Sequence, residues 1–497
     1  MKKIIAIFIA LIILSTSNIS WAKPIDFSGG VNNEYIYEEI IFLTGEPIKF
    51  IGEVKVTEKE KDNELTVSYK FELSPEDKTI SGSLKRTINY VTTLTSKNDK
   101  GQTIGQTEVT KYSEKIKIND DEYELADYQF SRSEVIDERP ASDFYSGSIK
   151  ARKYYTINKN QGSVTVDITG GDVGYENFWG STDTQLITYI IASTRSTAQG
   201  SNDVITWEGT VDLQVSDSLT KNLRYSDNQA NLSSFDGGYI KTTSRELVSR
   251  YQYNLPKMDG LEPNSKTRNR GTINLSKSMV PKVERLVVPK FRDLGGHWAE
   301  SYISKLYSLE VFDETSQFFT PDIPMTRLEF TKAVMKACNI RPTLTEEKKS
   351  SRLSRKNKVV EISPFLDIST EDENYPYIKE AFEKGLIFGD ISGNFRPNDS
   401  LTKAEAISIL IRALGFENRA PAPGYYLTFS DSSQIPSWAK DSIYVAREIG
   451  LVQGDNANKI SPNKKMTRAE ASAMLVRFLE FLEKDLQRDY RENIINY

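Results

Sequence analysis

Three copies of one short phrase in the C-terminal part constrain the fold of this 497-residue chain more than any other feature. Each copy has an apolar residue, any residue and Pro, then a Thr seven positions after the first residue, a base, a small or apolar residue and Glu. The copies are FTPDIPMTRLE from Phe319, FRPNDSLTKAE from Phe395 and ISPNKKMTRAE from Ile460. A phrase repeated with fixed internal spacing indicates stacked copies of one supersecondary unit.

The hydrophobic spacing around each phrase is helical, which predicts two helices in each repeat. Ile303, Leu306 and Leu309 show this spacing before the first phrase, and the apolar run after the second phrase ends at Gly415, a residue suited to stop a helix. The sequence therefore predicts an all-α array of three helix-loop-helix repeats at residues 290–340, 362–416 and 428–485. The remaining segments are predicted to be a basic linker (341–361), a Pro-rich linker (417–427) and a tail (486–497).

Residues 23–256 show a different pattern, in which apolar and polar side chains alternate with a period of two. The clearest run has Leu65, Val67 and Tyr69 between polar neighbours. This alternation is typical of half-buried antiparallel strands, so we expect an all-β, sandwich-like region. Residues 257–289 are polar and interrupted by Gly and Pro, which predicts a linker between the two regions.

The first 22 residues have the features of a secretory signal peptide. Lys2 and Lys3 precede an apolar run at residues 4–14, and Ser20-Trp21-Ala22 forms a small-x-small cleavage pattern. The run is shorter than the roughly 20 residues that span a bilayer. We therefore expect a secreted protein that is extracellular and free of the membrane after cleavage.

The composition excludes several function classes. A net charge of −5 gives no basis for binding nucleic acid. The single Cys, Cys338, excludes an intramolecular disulfide, and the single His, His297, leaves the β region without a His-dependent triad or His-based metal site. We expect no cofactor, no metal and no catalytic residues.

The repeated phrase contains one residue that helix capping does not explain. Its Thr and Glu form a capping box, in which each side chain accepts a hydrogen bond from the start of the helix. The base between them lies at the first helical position, where the helix dipole disfavours a cation by about 0.3–1 kcal/mol. Arg327, Lys403 and Arg468 all accept this cost. A cation beside free N–H groups predicts a receptor for a carboxylate or phosphate, with an ordinary surface charge as the alternative.

Other recurring elements accompany the phrase, and together they resemble S-layer homology repeats over about residues 290–482. They are a Phe-x-Asp opening, a Trp-Ala pair in two copies, and a Gly-rich run that ends in Gly-Asp in two copies. The resemblance implies three repeats around a pseudo-threefold axis, with grooves that bind a wall polymer non-covalently. The partner is then a secondary cell wall polymer or peptidoglycan-linked glycan, commonly ending in a pyruvylated amino sugar. Its carboxylate would meet the base, and a Trp face would stack on the sugar ring.

These arguments select ten candidate ligand-binding residues, with repeat 3 as the fullest copy. They are Arg468, Trp438, Asp431 and Gly454 in repeat 3, Arg327, Trp298 and Asp293 in repeat 1, and Lys403, Asp367 and Gly389 in repeat 2. The alternatives are a core role for each Trp and a local cap or turn for each Asp. On this basis, replacing Arg468 by Met should weaken wall binding and leave stability unchanged or slightly raised.

The expected function is that of a non-catalytic surface protein of the bacterial cell wall, with lateral self-association in an S-layer. One alternative is an anchored polysaccharide-degrading enzyme with two carboxylates in the β region, although no spacing distinguishes a catalytic pair. The available acids include Asp127, Glu134, Asp137, Glu138, Asp172 and Glu176. Another alternative is a carbohydrate-binding protein that uses Trp207, expected to face the core, or Trp179, the better candidate for exposure of the two, although the role of a loop anchor is favoured for Trp179.

Overall fold

The computed structural model describes residues 27–61, 63–97, 101–196, 204–226, 237–260, 262–313, 316–342, 361–421 and 424–486. The predicted signal peptide, most of the basic linker and most of the predicted tail lie outside the described residues. None of the helices in the described ranges is long and apolar enough to cross a lipid bilayer.

The N-terminal region is an antiparallel sheet of long strands, which confirms the all-β expectation. The strands are β1 (Val31–Asn32), β2 (Tyr37–Ile41), β3 (Ile48–Lys61), β4 (Glu64–Pro75), β5 (Gly82–Lys97), β6 (Gln102–Ile118), β7 (Asp121–Asp137), β8 (Asp143–Ile157), β9 (Gly162–Asn177), β10 (Gly180–Ser196), β11 (Val204–Ser226), β12 (Gly238–Asp259), β13 (Glu262–Ser278) and β14 (Lys282–Val287). They lie side by side in chain order from β1 to β13, and β14 pairs with the first part of β12.

The sheet curls around a single apolar core, because its inward positions carry apolar and aromatic side chains from nearly every strand. Its two ends approach each other, with Lys277 Nζ of β13 lying 2.5 Å from Glu38 Oε1 of β2. The segment before β1 also packs inside: Phe27 stacks on Phe130 with ring centroids 5.2 Å apart. The opposing walls of this core therefore belong to one curled sheet.

The prediction of a linker at residues 257–289 is wrong for most of this range. β12 continues to Asp259, and β13 and β14 occupy residues 262–278 and 282–287. β13 pairs with only one strand of the sheet, so much of it faces solvent and its sequence is polar. Lys, Arg and Pro are common on such edge strands, which explains why the composition looked like that of a linker.

Each repeat contains two helices, as predicted. They are α1 (Glu300–Ser308), α2 (Arg327–Ala337), α3 (Tyr375–Glu383), α4 (Lys403–Leu414), α5 (Lys440–Glu448) and α6 (Arg468–Glu480). Thr326, Thr402 and Thr467 begin α2, α4 and α6 with complete capping boxes. Gly415 ends α4 with a φ of 72°, a backbone conformation that favours glycine.

The repeat region is not wholly α-helical, because the three phrases meet in extended backbone. The N–H of Met325 donates to the carbonyl of Met466, that of Met466 to Leu401, and that of Leu401 to Met325, each at 2.9 Å. Isolated β-bridges flank this ring. The residues before each second helix are extended, so their backbone groups can pair with another repeat. The three hydrogen bonds among Met325, Leu401 and Met466 form a closed ring, which places the repeats around a pseudo-threefold axis.

The sheet and the helical repeats share a core at one end of the sheet. Trp179 and Ala141 belong to the same buried cluster as the helices. The N–H of Ala141 donates to the carbonyl of Ala413 at 2.9 Å. We call this the proximal end, and the opposite end, with the turns at Gly45, Asn119 and Asn158, the distal end.

Candidate functional site

Three grooves run between the repeats, because each first helix packs on the second helix of another repeat. The pairs are α3 on α2, α5 on α4 and α1 on α6, called groove 1–2, groove 2–3 and groove 3–1. Each pair combines the motif base of one repeat with the first helix of the next. Groove 2–3 therefore has Lys403 on one helix and Trp438 beside the other, whereas groove 3–1 has Arg468 and Trp298.

The helix starts in these grooves are not the free N–H groups that the sequence analysis assumed. Each of these helices is capped by the side chain of its own Thr and also by backbone carbonyls from a Pro-containing loop of another repeat. The first two N–H groups of α2 donate to Asp399 and Pro397, those of α4 to Lys464 and Pro462, and those of α6 to Ile323 and Pro321, at 2.9 to 3.1 Å. The backbone part of the predicted anion receptor is therefore occupied within the protein.

Arg468 is buried between repeats 3 and 1. Its Nη1 lies 2.6 Å from Glu329 Oε1, and its guanidinium lies 4.5 Å from the centroid of the Phe319 ring. Only about 5% of Arg468 is exposed. Glu329 Oε2 meanwhile accepts the N–H of Thr326 at 2.8 Å, so one carboxylate caps its own helix and holds the neighbouring repeat.

Arg327 makes the corresponding contacts between repeats 1 and 2. It forms an ion pair with Glu405, and its Nε donates to the carbonyl of Phe395 at 2.9 Å. Glu329 and Glu405 thus have a second role besides the capping that the sequence predicted: each also pairs with the base of a neighbouring repeat. This pairing could have been predicted, because a base and an acid recur at the same two positions of every repeat. The base of one repeat can then pair with the acid of the next repeat around a ring.

Lys403 breaks this cyclic pattern. Its expected partner, Glu470, instead pairs with Lys464 at 2.5 Å within repeat 3. Among the described residues Lys403 forms no ion pair. Burial lowers the pKa of its ammonium, the negative charges of Glu470 and Asp455 oppose this shift, and the positive charges of Lys464 and Arg477 add to it. A Lys head is a compact charge without the planar fork of Arg, which removes the two-pronged contact that holds Arg327. The cation of groove 2–3 is thus available to an added anion.

Trp298 and Trp438 lie on the surface, where they are 58% and 55% exposed. The alternative of a core aromatic is therefore wrong for both. An exposed indole next to a groove offers a flat apolar face on which a sugar ring can stack. Repeat 2 has Glu373 at this position, so groove 1–2 has no Trp there, although the Tyr377 ring lies next to Lys332 and Lys336 of α2.

The three candidate Asp residues hold their own phrases in place. Each carboxylate accepts two consecutive backbone N–H groups at 2.6 to 3.0 Å: Asp293 from Phe319 and Thr320, Asp367 from Phe395 and Arg396, and Asp431 from Ile460 and Ser461. This geometry supports the local structural role that was the alternative to ligand contact.

Gly389 and Gly454 occupy tightly packed positions. A Cβ at Gly389 would lie 3.2 Å from the Phe365 ring, and one at Gly454 would lie 2.9 Å from the Cα of Asn458. Packing within its own repeat thus requires glycine at position 454 and leaves little room for a Cβ at position 389. The structure gives no separate reason to place them against a ligand.

Three of the six candidate acids of the β region form ion pairs among the described residues. Glu134 and Asp172 both pair with the buried Arg132. Asp137 pairs with Arg139 at 3.1 Å. Among the described residues, no cluster of His, Cys, Asp and Glu could hold a metal ion.

The two tryptophans of the β region are buried. Trp207 points into the curled sheet, as the alternation predicted. Trp179 lies in the core at the proximal end, which agrees with the favoured role of a loop anchor and not with that of an exposed binding face.

Asp143 gives a pH-dependent prediction at the proximal end. Burial raises the pKa of the Asp143 carboxyl to about 6, and the negative charges of Glu138 and Glu176 add to this shift. A hydrogen bond from the Arg139 N–H acts in the opposite direction. Because the folded state then binds the proton more tightly than the unfolded state, stability is gained as the pH falls from 7 to 5 and lost as the pH rises through 6. We expect Asp143→Asn to remove roughly 1 kcal/mol of this gain, measured by urea unfolding at both pH values. A difference between variant and wild type that does not change with pH would contradict the assignment.

The geometry defines a module of three helix-loop-helix repeats closed into a ring by one shared phrase. Residues 290–331, 364–407 and 428–472 match the S-layer homology domain family. The C-terminal region therefore carries three S-layer homology repeats, as the resemblance indicated, whereas the N-terminal region has no family match.

Several curated proteins are similar to part of the chain. The exoglucanase XynX of Acetivibrio thermocellus is 31% identical over 192 residues, which cover 38% of this chain and 16% of that protein. The surface-layer 125 kDa protein of Lysinibacillus sphaericus is 36% identical over 20% of this chain and 8% of that protein. The cellulosome-anchoring protein of Acetivibrio thermocellus is 30% identical over 22% of this chain and 23% of that protein. The chain thus spans less than a quarter of the length of each of these relatives.

Proposed function

We propose that this chain is an exported cell-surface protein held non-covalently on the bacterial cell wall, with an anionic wall polymer bound in groove 2–3. The observation that carries the proposal is Lys403, the one motif base that has no ion-pair partner among the described residues. The three S-layer homology repeats and the similarity to surface-layer and cellulosome-anchoring proteins support a location at the cell surface.

The chemistry of groove 2–3 suits an acidic sugar. The Lys403 ammonium would meet a carboxylate such as that of a pyruvate ketal, in surroundings of mixed charge to which Lys464 and Arg477 contribute positively and Glu470 and Asp455 negatively. Trp438 offers its face to the attached ring, since the turn that holds it contacts α4. Arg327 and Arg468 are proposed to act indirectly, by holding the repeats at the spacing that forms the groove.

Replacement of Lys403 by Met tests the proposal. We expect at least a tenfold loss of affinity for native cell walls, because the carboxylate loses its cation. Thermal stability should change little, because Lys403 forms no ion pair with the described residues. Affinity is measured by sedimentation of the full chain with native walls and with walls stripped of their secondary polymer. Lys379→Met, which removes an exposed Lys from α3, is the matched control and should bind as the wild type does.

Two results would overturn this assignment. Equal sedimentation with stripped and native walls would show that the polymer is not the ligand. Wild-type binding by Lys403→Met would show that groove 2–3 is not the site.

We propose a non-catalytic role for the β region, with lateral self-association in a surface layer as part of it. The sharing of Arg132 by Glu134 and Asp172 supports this reading, because two ion-paired acids are poorly suited to act as a glycosidase acid and nucleophile. Cleavage of any wall or plant glycan by the purified chain would overturn it.

A further inference from the structure

A cavity of about 330 Å³ lies at the distal end of the curled sheet, away from the helical repeats. Its size falls within the range of small-ligand sites, roughly 300–1,000 Å³. Apolar side chains supply part of the wall: Leu43, Ile118, Ile157, Ile205 and Met258. The polar part decides what this cavity can hold.

An ion pair crosses the cavity between two strands that are not neighbours in the sheet. Arg195 of β10 and Asp121 of β7 make a two-pronged contact, with Nη1–Oδ2 and Nη2–Oδ1 distances of 2.6 and 2.7 Å. Asn158 also donates to Asp121 Oδ1 at 3.0 Å. Arg195 is thus neutralised, and Asp120 and Glu46 add further negative charge to the lining. An anionic ligand is therefore disfavoured.

Three buried side chains face this cavity with polar groups that have no hydrogen-bond partner among the described residues. They are Tyr123, Ser193 and Trp207, which are 3%, 5% and 8% exposed. Each of the three polar atoms keeps some solvent-accessible surface, so it is open to a ligand in the cavity. Two hydroxyls and one N–H, all neutral, thus converge on a space that also has aromatic walls.

We propose that the distal cavity binds a neutral, polyhydroxylated ring: a hexose or N-acetylhexosamine unit of a glycan. Ring hydroxyls both donate and accept, so they can satisfy Tyr123, Ser193 and Trp207 together. The C–H faces of the ring suit the indole and phenol surfaces. A purely apolar ligand would leave the three polar groups unpaired. This site is separate from groove 2–3 and lies at the opposite end of the sheet from the repeats.

Calorimetric titration of the full chain carrying Lys403→Met tests the site without the contribution of groove 2–3. The probes are glucose, galactose, N-acetylglucosamine, cellobiose, maltose and, as an anionic comparison, glucuronate. We expect a neutral sugar to bind more tightly than glucuronate and Tyr123→Phe to weaken that binding at least tenfold. Tyr154→Phe, on the outer face of β8, is the matched control and should leave the affinity unchanged.

A second pair of variants covers the case in which Tyr123→Phe folds poorly. Ser193→Ala should also weaken the sugar, whereas Ser249→Ala, a buried Ser of β12 outside the cavity lining, should not. Absence of heat with every probe at millimolar concentration would overturn the proposal. So would a bound sugar whose affinity is unchanged by both Tyr123→Phe and Ser193→Ala. In the otherwise wild-type chain, Tyr123→Phe and Ser193→Ala should sediment with walls as the wild type does, which separates failure here from failure of the anchoring proposal.

Discussion

Replacing Arg468 by Met is expected to lower the free energy of unfolding by about 2–3 kcal/mol. The substitution strands the Glu329 carboxylate between repeats and removes the guanidinium packed on the Phe319 ring. Breaking a fully buried ion pair by removing one partner destabilises by about 3–5 kcal/mol, and we take a lower value because the Glu329 side chain is about one-third exposed. Urea unfolding of the full chain measures the difference.

Lys403→Met is the matched control for this prediction, since it removes a cation from the same position of the same phrase. It should change stability by less than about 0.5 kcal/mol, because no ion pair is broken. The two variants thus separate a structural cation from a ligand-binding one. If Arg468→Met kept full stability and lost wall binding, Arg468 would be a ligand-binding residue, as the sequence predicted. The buried ion pair between Arg468 and Glu329 would then contribute nothing to the free energy of unfolding.

The sequence predicted those parts of the repeats that depend on residues close in the chain. A capping box joins a Thr to a Glu three positions later, so Thr326 and Glu329 suffice to predict it. The pair between Arg468 and Glu329 joins residues 139 positions apart. It exists only because the first and third repeats become neighbours when the ring closes. The role of each base was therefore beyond local reasoning.

A similar limit applies to the β region. The alternation at Leu65, Val67 and Tyr69 predicted a strand, because period-two burial is a local pattern. β13 was missed, since an edge strand need not alternate and its composition resembles that of a loop. The burial of Trp179 depends on helices that begin more than 100 residues later in the chain. No pattern around Phe178 and Gly180 carries that information.

The second copy of the phrase has Lys403 where the other two copies have Arg, and this difference supports the choice of groove 2–3 as the binding site. Two arginines join their repeats through Glu405 and Glu329, and the third position has Lys, whose expected partner is held elsewhere. The ring needs no third pair, because the backbone bonds through Leu401 and Met466 already close it. A copy that departs from the majority is thus the better candidate for binding, which reverses the sequence-based preference for the fullest repeat.

Replacing Trp179 by Ala is expected to have the largest effect on stability, a loss of about 3–5 kcal/mol. Trp179 is only 2% exposed and packs in the core shared by the sheet and the helices, with the Phe178 ring 5.3 Å away. The cavity would lie at the proximal end, where the two regions are joined. We therefore expect calorimetry to show two separate unfolding transitions in place of one, since loss of the junction uncouples the sheet from the repeats.

Trp438→Ala is the control for size and residue type, because it removes the same side chain from an exposed position. It should change the free energy of unfolding by less than about 1 kcal/mol and instead weaken wall binding through loss of the stacking face. A single transition at the wild-type temperature in Trp179→Ala would contradict the shared core. Two transitions in both the wild type and the variant would show instead that sheet and repeats unfold independently, and that the proximal contacts contribute little to either.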